Sequence, residues 1–144
     1  MKKVYILRGP SGAGKTYYAK EHHSDAWYCS SDLFFEASGV YEFDSQLLPI
    51  AHQECMFRFL MGVEKGEGVI VVDNTFTRKW EYINYWKVAK LLGYEVAVLE
   101  FMPETVEELK LIAGRNIHQV PEAIVAAQIM RFESCEEAIR VSPR

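Results

Sequence analysis

Nowhere does the 144-residue sequence hold a run near the roughly 20 apolar residues that a membrane-crossing helix requires. Its first apolar stretch, Val4 to Leu7, is also too short for the core of a secretory signal, so a soluble, cytoplasmic protein is expected. Cysteine is scarce. Cys29, Cys55 and Cys135 are odd in number, far apart and without metal-ligand spacing, which argues against a disulfide scaffold and a zinc motif. They read as reduced, small apolar residues. A large charge of either sign is missing as well. A net charge of −4 argues against coating nucleic acid by bulk electrostatics, but it leaves room for a short basic groove that contacts a few phosphates. Repeats and low-complexity linkers are absent, and one domain over residues 1–144 is expected.

What is present is ordinary for a globular chain: 49% hydrophobic and 25% charged residues. Short apolar runs alternate with longer periodic segments. Val4–Leu7, Ala26–Cys29, Val69–Val72 and Glu95–Phe101 read as strands. Between them the pattern predicts helices over Thr16–His22, Ser45–Lys65 and Thr77–Leu92, the last with Tyr82, Tyr85, Ala89 and Leu92 inward. Thr105 and Glu108 have capping-box spacing and open a helix expected to turn Val106, Leu109 and Ala113 inward. Pro121 suits the first position of a final helix with Val125, Ile129 and Phe132 on one face. Strands alternating with helices imply parallel βαβ units, an α/β fold with helices on both sheet faces.

Gly9-Pro10-Ser11-Gly12-Ala13-Gly14-Lys15-Thr16 matches GxxxxGK(S/T), directly after a strand and directly before a helix. Glycines let the backbone curl so that successive N–H groups point at phosphate oxygens. The helix behind them presents its N-terminus to the same anion. Lys15 can reach the β- and γ-phosphates of ATP, and the Thr16 hydroxyl can ligate Mg²⁺.

A phosphate loop alone specifies no reaction. Asp32, just past the second strand, stands where a carboxylate could take a proton from an acceptor hydroxyl; it could equally cap the turn at Leu33–Glu36. Asp73-Asn74-Thr75 follows the third strand, the place of a Walker-B-like acid with neighbours able to touch substrate, or of an Asx-turn. A short lid over about 114–121 carries Arg115 and His118. Arg115 could close on transferring charge, or face solvent at a helix end. The basic and aromatic stretch from Arg78 to Lys87 reads better as a packed helix face than as a surface that stacks bases.

In this order the phosphate loop, Ser31-Asp32 with Phe34-Phe35, Tyr41-Glu42-Phe43, Ala51-His52, Asp73-Asn74-Thr75, Arg115-Asn116-Ile117-His118 and Val120-Pro121 resemble the ATP-binding domain of the NEDD4-binding protein 2 group, itself similar to phage-type polynucleotide kinases. The resemblance spans about residues 3–134. It implies a P-loop NTPase fold with a parallel sheet of about four strands in the order 2-3-1-4, and transfer of the ATP γ-phosphate to a hydroxyl. Asp32 matches the general base and Arg115 a lid arginine; the acceptor would be nucleic acid, DNA before RNA. Phe34 and Phe35 are then candidates to stack on it, with Asp73, Asn74 and Thr75 close by. Where those kinases carry an arginine three residues beyond the base, this chain has Phe35, and the lid lacks a second arginine. Those departures open other acceptors, among them a hydroxymethyl group on a modified base. A small-molecule kinase and a non-catalytic ATP-binding module are the alternatives.

Overall fold

The computed structural model describes residues 1–115 and 120–144, so His118 and the 116–119 part of the expected lid lie outside the described residues. In chain order the elements are β1 (Lys3–Arg8), α1 (Lys15–His22), β2 (Trp27–Cys29), α2 (Asp32–Glu36), α3 (Leu48–Lys65), β3 (Val69–Asp73), α4 (Lys79–Leu91), β4 (Glu95–Glu100), α5 (Val106–Gly114), α6 (Glu122–Met130) and β5 (Ile139–Arg140). All five strands run parallel in the order β2-β3-β1-β4-β5. The expected four-strand order is present, and the fifth strand is an addition. Only two residues long and exposed on both, Ile139–Arg140 has none of the apolar density that marked the others.

Why the strands read as apolar runs follows from their register. Val4 pairs with Ile70 and Val96, and Leu7 pairs with Asp73 and Leu99, so the central strands are covered on both faces. One face sends Val4, Ile6, Ile70, Val72 and Val98 into a core with Cys55 and Phe59 of α3 and Tyr82, Tyr85 and Ala89 of α4. Leu7, Val71 and Leu99 point the other way, against Ala19 of α1, Ile112 of α5 and Val125 of α6. Cys29 and Cys55 are buried as the small apolar residues expected, and all three cysteines are free.

Helix boundaries shift where local hydrogen bonds decide them. Ser45–Leu47 forms a 3-10 turn because the Asp44 carboxylate accepts from the Gln46 N–H, and Pro49 falls in the first turn of α3. The expected start at Thr77 moves to Lys79, since the Glu81 carboxylate accepts from the Thr77 hydroxyl and the Arg78 N–H and holds both outside the helix. Leu92, expected inward, lies past the end of α4 and is 54% exposed.

The inward face predicted for α5 is wrong. Thr105 does cap it, accepting from the Glu108 N–H, but Val106, Leu109 and Ala113 are exposed and Ile112 is the buried residue. Leu111 and Ile112 interrupt the i, i+3, i+7 series, so the apolar residues surround the helix and their periodicity names no single face.

Arg8, the last residue of β1, is fully buried. Its guanidinium pairs with Glu100, donates to the Phe76 carbonyl through Nε (2.9 Å) and Nη2 (2.7 Å) and to the Glu133 carbonyl (2.7 Å), and lies between the Tyr82 and Phe132 rings, 4.3 Å from each. It thus ties the strand before the phosphate loop to the segment after β3, the end of β4 and the chain beyond α6. Arg8→Met leaves Glu100 without its counter-ion and the buried Phe76 carbonyl without its donor. A loss of about 3–5 kcal/mol is expected, read as a lower urea midpoint at unchanged slope.

Candidate active site

At the carboxyl ends of β1, β2 and β3 the sheet opens into the crevice where α/β proteins of this kind bind ligands. The phosphate loop fills its centre. Gly12 has φ +86° and Gly14 φ +93°, the left-handed region in which L side chains are strained. Both are also crowded. A β-carbon on Gly12 would sit 2.8 Å from the carbonyl oxygens of Ile112 and Arg115, and one on Gly14 would sit 2.6 Å from that of Arg144. The end of α5 and the residues after β5 therefore rest directly on the loop, and the Arg144 N–H donates to the Ala13 carbonyl at 3.2 Å. From a third side the Gln128 side chain of α6 accepts the Ser11 N–H at 3.0 Å.

Lys15 opens α1 and is buried, its ammonium donating to the carbonyls of Gly9 (2.9 Å) and Pro10 (3.1 Å). Burial pulls its pKa down, while the carboxylates of Asp73 and Asp32 act in the opposite direction. One lysine thus lies in the field of both predicted site acids, which belong to different strand ends.

Asp73 ends β3 and is 4% exposed. Its Oδ2 accepts from the Thr16 hydroxyl at 2.9 Å and from the Tyr28 hydroxyl. Burial raises its pKa, offset by Lys15 and by those two hydrogen bonds. Tyr28 is a residue the sequence reading missed; burial and Asp73 raise its own pKa, so it remains a hydrogen-bond donor. Thr16 Oγ1 and Asp73 Oδ2 are hard oxygens beside the phosphate loop. That donor set suits a Mg²⁺ ion, which keeps several waters and takes its other ligands from phosphate oxygens. Among the described residues no cluster of three or more His, Cys, Asp or Glu side chains occurs that could hold a metal ion.

Asn74 and Thr75 bind the neighbouring loops. Asn74 Oδ1 accepts from the N–H and hydroxyl of Ser31, both at 2.9 Å, its amide donates to Cys55 Sγ at 3.4 Å, and the Thr75 carbonyl accepts the Gly9 N–H at 3.1 Å. These contacts join the strand end that carries Asp73 to the one that carries Asp32.

Asp32 is the first residue of α2, with Ser31 at the capping position. Its Oδ1 accepts the Tyr41 hydroxyl at 3.1 Å, and Asp32 does not act as the N-cap. Phe35 is 4% exposed and packed edge-on to Phe34 and Tyr41 and against Phe43, so its ring serves the core; Phe34 is half-buried on the outer side. Arg115 is exposed at the end of α5, with its backbone over Gly12.

The comparisons with known proteins bear on the family and the fold. A family model described as an AAA domain matches residues 4–135. NEDD4-binding protein 2 of Homo sapiens is 30% identical over 135 residues, which is 90% of this chain but only 8% of that protein. Among solved structures, the Pnkp1/Rnl/Hen1 RNA repair complex has a TM-score of 0.67 at 15% identity, over 90% of this chain and 43% of that one. The APS kinase CysC of Mycobacterium tuberculosis, in complex with AMPPNP and APS, has a TM-score of 0.64 at 16% identity, over 99% of this chain and 88% of that one. At such identities the structural likeness speaks for the fold alone, a P-loop NTPase fold.

Proposed function

The chain belongs to the AAA domain family matched over residues 4–135, and on that basis we propose that it transfers the γ-phosphate of ATP to a hydroxyl group carried by nucleic acid. The observation that supports this most is the meeting of Lys15, Thr16 and Asp73 beside the phosphate loop, with Asp32 close enough to act on the same lysine. In this reading the triphosphate lies along the Gly9–Thr16 N–H groups, and Lys15 turns from the loop carbonyls to the β- and γ-phosphates. Thr16 and Asp73 would hold a Mg²⁺ ion, which when bound would offset the negative charge of the triphosphate.

Asp32 orients the acceptor hydroxyl and takes its proton as that oxygen attacks the γ-phosphorus. The bond from phosphorus to the β–γ bridging oxygen breaks, ADP leaves and a phosphate monoester remains. Arg115, carried by the segment over Gly12, meets the charge that gathers on the transferred group. The free cysteines fit a reducing compartment, the cytoplasm. A small-molecule acceptor is the second reading. Phe35 stands three residues beyond Asp32, where the polynucleotide kinases have an arginine, and is buried in the core.

Asp32→Asn keeps the shape and most hydrogen bonding but removes the base. Transfer is expected to fall by about 10²–10⁴-fold, with ATP affinity nearly unchanged. The check is labelled-ATP transfer to DNA, RNA, hydroxymethylated DNA and small alcohols, run beside an ATP-binding titration. Equal transfer by the variant removes Asp32 from the mechanism.

A further inference from the structure

Between α2 and α3, beside the edge strand β2, the surface opens into a groove of about 300 Å³. That is the lower end of small-ligand sites. Leu33, Phe34, Phe57 and Met61 supply apolar walls, and Glu54 and Arg58 the charge. Phe57 is 64% exposed, although it sits on the longest helix of the fold.

Arg58 is held in place. Its Nε donates to the Tyr28 carbonyl, its guanidinium lies 4.4 Å over the Trp27 ring, and the Trp27 indole N–H donates back to the Arg58 carbonyl at 2.8 Å. Among the described residues no hydrogen bond or ion pair takes up its two η nitrogens. A fixed guanidinium with unused parallel donors suits a phosphate, and it has little side-chain freedom left to lose on binding.

The groove is joined to the reacting end of the site. Ser30 lines it and accepts the Asp32 N–H through Oγ at 3.2 Å. Leu33 and Phe34 face the groove from α2, whose first residue is Asp32. At 1.5 Å per residue this five-residue helix is only about 7.5 Å long, so one strand can touch both.

We propose that the groove holds the nucleotide adjoining the phosphorylated end of the acceptor strand, with its base against Phe34 and Phe57 and its phosphate on Arg58. The inference rests on the nucleic-acid reading above and gives its site the cation that Phe35 does not supply. Glu54 at the rim is an acceptor for an exocyclic amino group of the base. Stacking on aromatic faces tolerates any base, so the subsite fixes where the strand lies and selects little sequence.

The test measures binding and transfer separately. A fluorescent single-stranded DNA decamer is titrated into the full chain and into Phe57→Ser and Arg58→Gln, and the same proteins are assayed for labelled-phosphate transfer. Each variant is expected to raise the decamer Kd about tenfold, with ATP affinity unchanged. Arg58→Gln alone should lower the slope of log K against log salt by about one. Phe57 is exposed, so Phe57→Ser keeps the test valid even if Arg58→Gln disturbs Trp27. Unchanged decamer affinity in Phe57→Ser overturns the groove, even where the parent phosphorylates DNA. Binding through the groove without any phosphate transfer to nucleic acid overturns the acceptor reading and, with it, the groove's place beside a phosphorylated end. No binding by the parent overturns the groove, and label transferred to nucleic acid in that case leaves the acceptor reading standing.

Discussion

Lys15→Ala is expected to weaken ATP binding and to lower turnover by roughly 10²–10³-fold or more, the cost of deleting one preorganised charge partner of a reacting group. The ammonium is buried and donates to two loop carbonyls, within the fields of Asp73 and Asp32. Burial lowers its pKa, so the charged form is held at a cost that a bound polyphosphate relieves. Methionine at position 15 keeps the length without the charge and separates packing from electrostatics. The measurement is an ATP titration with turnover at saturating acceptor, on protein whose circular dichroism matches the parent. Unchanged affinity and turnover in both variants would remove the phosphate loop from the chemistry.

Arg115→Ala has a different expected signature. Its side chain is exposed and its backbone lies over Gly12, so removing it should leave the phosphate loop and most ATP binding intact. The loss should fall on turnover, by roughly 10³-fold or more, the contribution that arginines make to transferring charge in phosphoryl transfer. Arg115→Lys keeps the charge but loses the planar fork, and intermediate turnover is expected. If turnover at saturating acceptor is untouched in Arg115→Ala, the residue is only a solvated helix end.

Local signals carried much of this site in the sequence. The phosphate loop announces itself because its glycines, lysine and threonine are consecutive and bracketed by a strand and a helix. Asp32 and Asp73 were visible as acids just past apolar runs, and the strands themselves as β-branched runs covered on both faces. What the sequence hid is non-local. Tyr28 on Asp73, Gln128 on Ser11, Asn74 on Ser31 and Arg8 beneath the loop each join residues far apart in the chain, and no spacing encodes them. Two misreadings have the same origin. Phe34 and Phe35 looked like an equivalent pair, yet a helix turns adjacent residues about 100° apart, so the Phe35 ring is buried against Phe43 and Tyr41 while Phe34 lines the groove. In α5 the apolar residues surround the helix, and only its packing against the sheet and the phosphate loop selects Ile112.

Arg8 and the residues after β5 show how the fold supports the chemistry. Arg140 pairs with Glu104 and Glu108 at the start of α5, and Arg144 meets Ala13 at the loop. The end of the described chain therefore braces both the loop and the helix that leads to Arg115.

The most direct test of the account is a competition in one tube. Single-stranded DNA with a 5′-hydroxyl, RNA, DNA with hydroxymethylated bases, and a mixture of nucleosides and sugars compete for the γ-phosphate of labelled ATP with Mg²⁺. The account predicts label on nucleic acid as a phosphate monoester, abolished in Lys15→Ala and nearly so in Asp32→Asn. Label found only on a nucleoside, a sugar or inorganic phosphate would contradict it.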